Sequence, residues 1–117
     1  MHIGVPLETH AGETRVAATP ETIKKLIAQG HQVTVQSGAG VNASLPDHVY
    51  EVVGAAIGNA AAALGADLVL KVLAPSEAEL ALMKPGAVLV GMLNPFDSET
   101  IAKMATRGIT AFALEAA

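Results

Sequence analysis

The chain has 117 residues, the size of one domain, and 51% of them are apolar, which is enough for a core and excludes a disordered chain. Its net charge is −4 and its basic residues form no stripe, so nucleic-acid binding is not expected. The absence of cysteine excludes disulfides and thiolate metal sites and fits a reducing compartment. The start of the chain lacks the charged and apolar regions of a signal peptide, and the apolar run at 87–93 is far shorter than a membrane span. We therefore expect no direct insertion of this segment into a membrane.

Strand-like and helix-like segments alternate along the first half of the chain. Thr19 is a good helix N-cap, Pro20 suits the first helical position, and Gly30 is a typical residue after a helix end. Residues 32–36 alternate polar and β-branched side chains, as a strand does. The first half therefore predicts strands at 3–6, 32–36 and 55–57, and helices from 20 up to Gly30, at 46–53 and at 59–64.

The second half continues this alternation. Ser76 and Glu79 have the spacing of a capping box, which begins a helix that ends near Met83. The apolar run at 87–93 is typical of a strand that is buried on both faces. The remaining predictions are strands at 67–72 and 109–114, and a helix that follows an Asp97 cap and ends at 107–108.

This order of elements predicts βαβ units in a doubly wound, mainly parallel α/β sheet with helices on both faces, a flavodoxin-like or Rossmann-like arrangement of three layers. Apolar side chains at helical spacing are expected to face that sheet: Ile23, Leu26 and Ile27, then Val49, Val52 and Val53, then Ile101, Met104 and Ala105. Sites in such folds form at the carboxyl ends of the strands, and the last strand ends almost where the chain does. We therefore expect a domain that continues in a longer polypeptide.

The turn after the second strand carries a glycine pattern. Gly38–Ala43 matches G-x-G-x-x-A, the pattern of dinucleotide-binding turns. In such turns the helix opens within the glycines, so that its N-terminus faces the pyrophosphate, whereas Pro46 places the helix start later. No acidic residue ends a strand at the spacing that ribose binding requires. A structural strand-to-helix turn is the favoured interpretation, and a phosphate loop is the alternative.

Three polar residues, Arg15, Lys71 and Asn94, lie at or near the predicted carboxyl ends of strands. The guanidinium of Arg15 can bind a carboxylate or phosphate, or it can pair with Glu8 or Glu13. Lys71 interrupts an apolar strand, which indicates either an exposed edge or an anion site. Asn94 could add an amide donor. In a doubly wound sheet these strand ends converge, so the sequence predicts that the three residues line the rim of one cleft.

Other polar residues give weaker signals. The histidines His2, His10, His31 and His48 lack the spacing of metal ligands, so no metal is expected. No serine or threonine lies in a nucleophile elbow. Glu115 follows the last strand and could accept a hydrogen bond from a ligand, although a solvated carboxylate is the favoured interpretation.

Segments along the whole chain together resemble one known family. The chain is similar to the N-terminal domain shared by alanine dehydrogenases and the alpha subunit of proton-translocating NAD(P) transhydrogenase. The segments that carry this resemblance, in order, are IGVPLE, GETRVAATPETIKKL, VTVQSGAGVNAS, LVLKVLAP, KPGAVLVGML and GITAFALE. Several long matches in the same order are far more specific than the glycine pattern alone.

The resemblance implies roles for the three polar residues. In alanine dehydrogenases a substrate-binding arginine and lysine match Arg15 and Lys71, and a catalytic histidine ends the strand where this chain has Asn94. The missing histidine favours the transhydrogenase branch, in which Arg15 is a cleft-lining residue. An alanine dehydrogenase substrate domain and a non-catalytic assembly module remain the alternatives.

The transhydrogenase branch implies a Re/Si-specific enzyme that passes hydride between NADH and NADP and couples this transfer to proton translocation. Residues 1–117 would be its N-terminal α/β domain, inactive alone, with an incomplete sheet to which a later piece of chain returns. NAD(H) would bind to a Rossmann domain absent from this chain, and NADP(H) to a partner component. The expected partners are a beta subunit, a membrane component and a second copy in a homodimer, at the cytoplasmic side of the bacterial inner membrane.

Overall fold

The computed structural model describes residues 1–93 and 97–114, and the strands within them are β1 (His2–Val5), β2 (Gln32–Gln36), β3 (Ala56–Gly58), β4 (Leu68–Leu73), β5 (Val88–Met92) and β6 (Thr110–Ala113). They form one sheet in the order β3-β2-β1-β4-β5-β6, and each neighbouring pair is parallel. The order reverses between β1 and β4, which confirms the predicted doubly wound α/β fold.

The helices of the described residues connect these strands: α1 (Pro20–Ala28), α2 (Asp47–Val52), α3 (Ala60–Leu64), α4 (Glu77–Leu82) and α5 (Ser98–Thr106), with a 3₁₀ turn at Val41–Ala43. Each predicted element is present, with small shifts at its ends. α1 packs on β2 and α2 on β3, whereas α3 packs on β1 and β2 and α5 packs on β6. Helices therefore lie on both faces of the sheet, as predicted.

The helix starts agree with the predicted caps. The Thr19 hydroxyl accepts a hydrogen bond from the backbone N–H of Thr22 at 3.3 Å. Ser76 and Glu79 form the reciprocal capping box, with distances of 2.9 and 3.2 Å, and the Asp97 carboxylate caps α5. Each of these bonds joins residues three positions apart, which is why local sequence is enough to predict them.

The core consists of two apolar clusters, because alternate residues of a strand point to opposite faces of the sheet. One cluster is built on α3, α4 and α5 and includes Leu64 and Met104. The other is built on α1 and α2 and includes Ile23 and Tyr50. The buried Tyr50 hydroxyl donates a hydrogen bond to the Ala18 carbonyl at 2.9 Å, which ties α2 to the segment before α1.

One part of the sheet is exposed, on the face where α1 and α2 pack. Met92 of β5 is 42% exposed and Phe112 of β6 is 57% exposed, whereas Leu89, which points to the other face of β5, is fully buried. The prediction that 87–93 is buried on both faces is therefore wrong. The reason is that α1 and α2 pack on β2 and β3, which lie towards the opposite end of the sheet.

Two predicted core positions on helices are also wrong. Val52 is 82% exposed, while Val53 packs against the core, and Ala105 is exposed, while Met104 is buried. Consecutive residues on a helix point about 100° apart, so a short helix on the sheet surface cannot turn both members of such a pair inward.

Candidate functional site

The candidate site lies where β1 and β4 are neighbours but the strand order reverses. Crevices in doubly wound sheets form at this point, outside the carboxyl ends of the strands. The segment that follows β1 carries Glu8, Glu13 and Arg15, and the carboxyl end of β4 carries Lys71. Two of the three predicted site residues are therefore adjacent to the switch point. Asn94, the third, lies outside the described residues, as does Glu115.

Arg15 is held by Glu13, two positions earlier in the chain. Its Nη2 lies 2.7 Å from Glu13 Oε1 and its Nε 3.0 Å from Glu13 Oε2, and its backbone N–H also donates to Oε2 at 2.8 Å. These hydrogen bonds from Arg15 lower the pKa of the Glu13 carboxyl from 4.5 to about 2. The ion pair considered from the sequence is thus observed, while 57% of the Arg15 side chain remains exposed.

Lys71 has no exposed side-chain surface. Its Nζ donates to Glu79 Oε2 at 3.1 Å and lies 3.2 Å from Glu8 Oε1. The lysine therefore neither reaches solvent at an edge nor presents a free ammonium to a ligand. A buried charge is tolerated when it is paired, and here two nearly buried carboxylates provide the pairing.

Glu8 also binds the backbone of β4. Its Oε2 accepts the N–H of Val72 at 2.9 Å and its Oε1 accepts the N–H of Leu73 at 3.1 Å. These bonds coincide with a β-bulge, because three residues of β4, from Leu70 to Leu73, match only two of β5. Sequence reasoning missed this role of Glu8; the one available signal was that a lysine in an apolar strand requires a carboxylate partner.

Gly91 of β5 makes room for the bulge. A Cβ atom added to Gly91 would lie 2.4 Å from the carbonyl oxygen of Lys71, a distance that no side chain tolerates. The absence of a side chain at this position therefore lets β4 bend towards β5, and the bend coincides with the burial of the Lys71 ammonium.

Arg15 and Lys71 both contribute to the wall of one open depression of about 280 Å³. The rest of its wall is mainly apolar and includes Val16, Val90 and Met92, so it opens onto the exposed part of the sheet. The exposed edge of the Arg15 guanidinium is the polar group that can still meet a ligand there. The depression suits an apolar or planar group better than a small carboxylate, because both cations at its wall already have carboxylate partners.

The glycine turn has the geometry of a structural turn. The Asp47 carboxylate accepts hydrogen bonds from the Gly38 N–H and the Ser37 hydroxyl, both at 2.8 Å, and these bonds lower the pKa of Asp47. The N–H groups of Val41 and Ala43 donate to carbonyls within the turn. A phosphate would have to displace Asp47 and these internal bonds, so the geometry favours the structural interpretation.

Histidines of the described residues make local hydrogen bonds. The His2 Nε2 lies 2.8 Å from the Thr34 hydroxyl, and the His10 Nε2 lies 3.1 Å from the Ala74 carbonyl oxygen. Within residues 1–93 and 97–114, no group of three or more potential ligands is placed to hold a metal ion. Among the helices of those residues, none has the length and apolar character needed to cross a membrane.

The family of the chain follows from its similarity to known proteins. The model of the family described as "Alanine dehydrogenase/PNT, N-terminal domain" matches residues 4–117. The chain belongs to this family. The match confirms the resemblance on which the sequence analysis relied, and the family includes two kinds of oxidoreductase.

Members of both kinds are similar to the chain over almost its whole length. An NAD(P) transhydrogenase subunit alpha of Rhodospirillum rubrum is 44% identical over 123 residues, which cover 98% of this chain and 32% of that protein. Alanine dehydrogenase 1 of Staphylococcus aureus is 39% identical over 116 residues, which cover 98% of this chain and 31% of that protein. The crystal structure of the transhydrogenase from Sinorhizobium meliloti matches with a TM-score of 0.95 at 40% identity, covering 98% of this chain and 34% of that one.

These family members are longer than the chain. The chain spans about a third of the length of the relatives it matches. The name "subunit alpha" also states that the transhydrogenase relative is one subunit of an assembly.

Proposed function

We propose that the chain is the N-terminal part of the NAD(H)-binding alpha subunit of a Re/Si-specific, proton-translocating NAD(P) transhydrogenase, which passes hydride between NADH and NADP. The observation that carries this proposal is the state of the two cations at the candidate site. Arg15 is paired with Glu13, and Lys71 with Glu8 and Glu79. A dehydrogenase of small oxoacids needs cations that are available to the substrate carboxylate, whereas hydride transfer between two nucleotides does not.

The similarities support the same choice. The transhydrogenase relative from Rhodospirillum rubrum is 44% identical, and the alanine dehydrogenase from Staphylococcus aureus 39%. The family resemblance adds that Asn94 stands where alanine dehydrogenases have a catalytic histidine. NAD(P) transhydrogenase is thus the activity that agrees with both the charges and the sequence.

Residues 1–117 are, in this proposal, the first domain of a longer subunit. NAD(H) binds to a Rossmann domain that is not part of the chain, and Arg15 and Lys71 belong to the edge of the cleft that faces it. The exposed apolar side chains Met92, Phe112 and Leu114 support this arrangement, because a later domain or piece of chain would cover them. The length of the relatives leaves room for both.

The partners in this proposal follow from the same activity. A beta subunit binds NADP(H), a membrane component carries protons, and two alpha subunits form a homodimer at the cytoplasmic side of the bacterial inner membrane. The chain itself holds no metal in this mechanism. The naming of the transhydrogenase relatives as alpha subunits supports the expectation of further subunits.

The direct test uses the complete gene product that contains this sequence, combined with its partner components. We expect NADH to reduce an NADP analogue with a distinct absorbance, and we expect no oxidation of NADH by pyruvate and ammonium. Turnover of pyruvate would instead assign the alanine dehydrogenase activity, which the shared position of Arg15 and Lys71 at one depression favours as the second candidate.

The domain assignment has its own test on the 117-residue chain. Calorimetric titration with NADH should give weak or undetectable binding, because the proposed nucleotide domain is absent. Micromolar binding would contradict that assignment and would reopen the phosphate-loop interpretation of Gly38–Ala43. A stable dimer whose melting temperature responds to neither NADH nor pyruvate would favour the assembly module.

A further inference from the structure

The inference concerns Glu8, which joins the two segments at the switch point. The parallel pairing of β1 with β4 covers Ile3 with Leu68 and Gly4 with Val69. Beyond these pairs the Glu8 carboxylate connects the two segments, because it accepts the N–H groups of Val72 and Leu73 from β4. A side chain from the β1–α1 segment thus performs the task of a strand at the carboxyl edge.

The environment of this carboxylate makes its contacts strong. The Glu8 side chain is 2% exposed, and the Lys71 ammonium 3.2 Å away has no exposed surface. Lys71 in turn donates to Glu79 at 3.1 Å, so the group extends from the β1–α1 segment through β4 to α4. Charge-assisted hydrogen bonds away from water are stronger than exposed ones and hold their partners in one geometry.

The segment that carries Arg15 continues from this anchor. Next to Glu8, the Leu7 N–H donates to the Gln36 side chain at 2.9 Å, and His10 contacts the Ala74 carbonyl after β4 at 3.1 Å. The Glu13 N–H then donates to the His10 carbonyl at 3.1 Å, and the Glu13 carboxylate holds Arg15. Each contact fixes the next one, and Glu8 is the buried member of this series.

We propose that Glu8 is a positioning residue of the cleft: it locks the β1–α1 segment onto the bulged end of β4 and thereby sets where Arg15 stands over the depression. Neither the family match nor the proposed activity assigns this role. The inference rests on the proposed function only in that the depression is the edge of the nucleotide cleft. The mechanical link between Glu8 and Arg15 does not depend on which ligand binds there.

The experiment compares Glu8→Gln with Glu51→Gln, an exposed glutamate on α2 that loses the same charge. Glutamine retains the size of Glu8 but offers one acceptor oxygen, so Val72 or Leu73 loses its partner, while Lys71 keeps Glu79. In 15N-labelled protein we expect hydrogen exchange of one of those two amides to rise by about tenfold or more. We also expect the Arg15 Nε–H resonance to shift, which a loss of stability alone would not produce.

A folded Glu8→Gln variant with parent-like amide exchange and an unmoved Arg15 Nε–H resonance would overturn the proposal. If the variant does not fold, the unaltered chain still decides the matter through its own exchange rates. Val72 and Leu73 should be protected like strand amides of the core; exchange at the rate of exposed loop amides would overturn the role of Glu8. In the complete protein, Glu8→Gln should lower hydride transfer more than Glu51→Gln. Absence of transfer in the parent would count against the proposed function and leave the resonance test of Glu8 unaffected.

Discussion

The two cations of the candidate site lie at the same edge of the sheet but in different surroundings. Lys71 is inaccessible and is shared by Glu8 and Glu79, whereas Arg15 is more than half exposed and is paired with Glu13 alone. Removing a partner from a buried ion pair is expensive, while exposed pairs contribute little because water screens them. The difference teaches that Lys71 belongs to the framework of the edge, and that Arg15 is the cation still able to respond to a ligand.

The largest expected effect comes from removing the buried cation. Lys71→Met should lower the free energy of unfolding by about 3–5 kcal/mol, because Glu8 and Glu79 would remain buried without a counter-ion. Urea unfolding of this variant and of Lys24→Met, an exposed lysine on α1, measures the difference. Equal stability of the two variants would refute the framework role of Lys71. Replacing both glutamates by glutamine in the Lys71→Met background should restore part of the loss.

The bulge next to Lys71 provides the second test. Gly91→Ala should cost about 1–3 kcal/mol, because its Cβ would lie 2.4 Å from the Lys71 carbonyl oxygen and the backbone must shift. Gly58→Ala on β3 is the matched control, since its Cβ would meet the Ala62 methyl at 3.0 Å, a milder contact. Thermal unfolding of both variants compares them. A smaller loss at Gly91 than at Gly58 would show that the bulge is not held tightly.

The exposed cation should reveal itself by titration rather than by stability. Arg15→Gln should raise the pKa of Glu13 from about 2 towards 4.5, because the hydrogen bonds from Arg15 are the main cause of its lowering. Since the pKa of Glu13 is lowered in the folded chain, its stabilising contribution is present above pH 4.5 and is lost as the pH falls towards 2. NMR titration of the Glu13 carboxyl measures this change. An unchanged midpoint would mean that other groups lower the pKa.

The smallest effect on stability is expected on the exposed part of the sheet beside Arg15. Phe112 is 57% exposed, so Phe112→Ser should change the free energy of unfolding by less than about 0.5 kcal/mol. Leu89→Ala, on the covered face of the neighbouring strand, should cost about 2–5 kcal/mol and serves as the contrast. A large loss at Phe112 in a monomeric chain would contradict the description of that face as exposed.

Features that depend on neighbours in sequence were predicted well. The caps at Thr19, Ser76 and Asp97 join residues three positions apart, and the turn glycines and apolar periodicity are local as well. Predictions failed where only packing decides, as at Val52 and at the exposed face of β5. There the residue types are apolar in either case, and the position of a distant helix determines whether they are covered.

The candidate site was predicted in place but not in charge. Parallel strands put their carboxyl ends at one edge, so the alternation of elements was enough to bring Arg15 and Lys71 together. The sequence left the partners of both cations open. Glu13 is two positions from Arg15, but the contact between Glu8 and the backbone of β4 spans 64 positions and has no local signature.

The sequence by itself thus determined the order of strands and helices, the caps, the family and the edge at which a site forms, because each depends on periodicity or on residues close together in the chain. Only the tertiary structure decided that Lys71 is a buried, paired cation and Arg15 an exposed one. The reason is that the reversal of strand order brings Glu8 against the bulged end of β4, and burial then determines which charges remain available to a ligand.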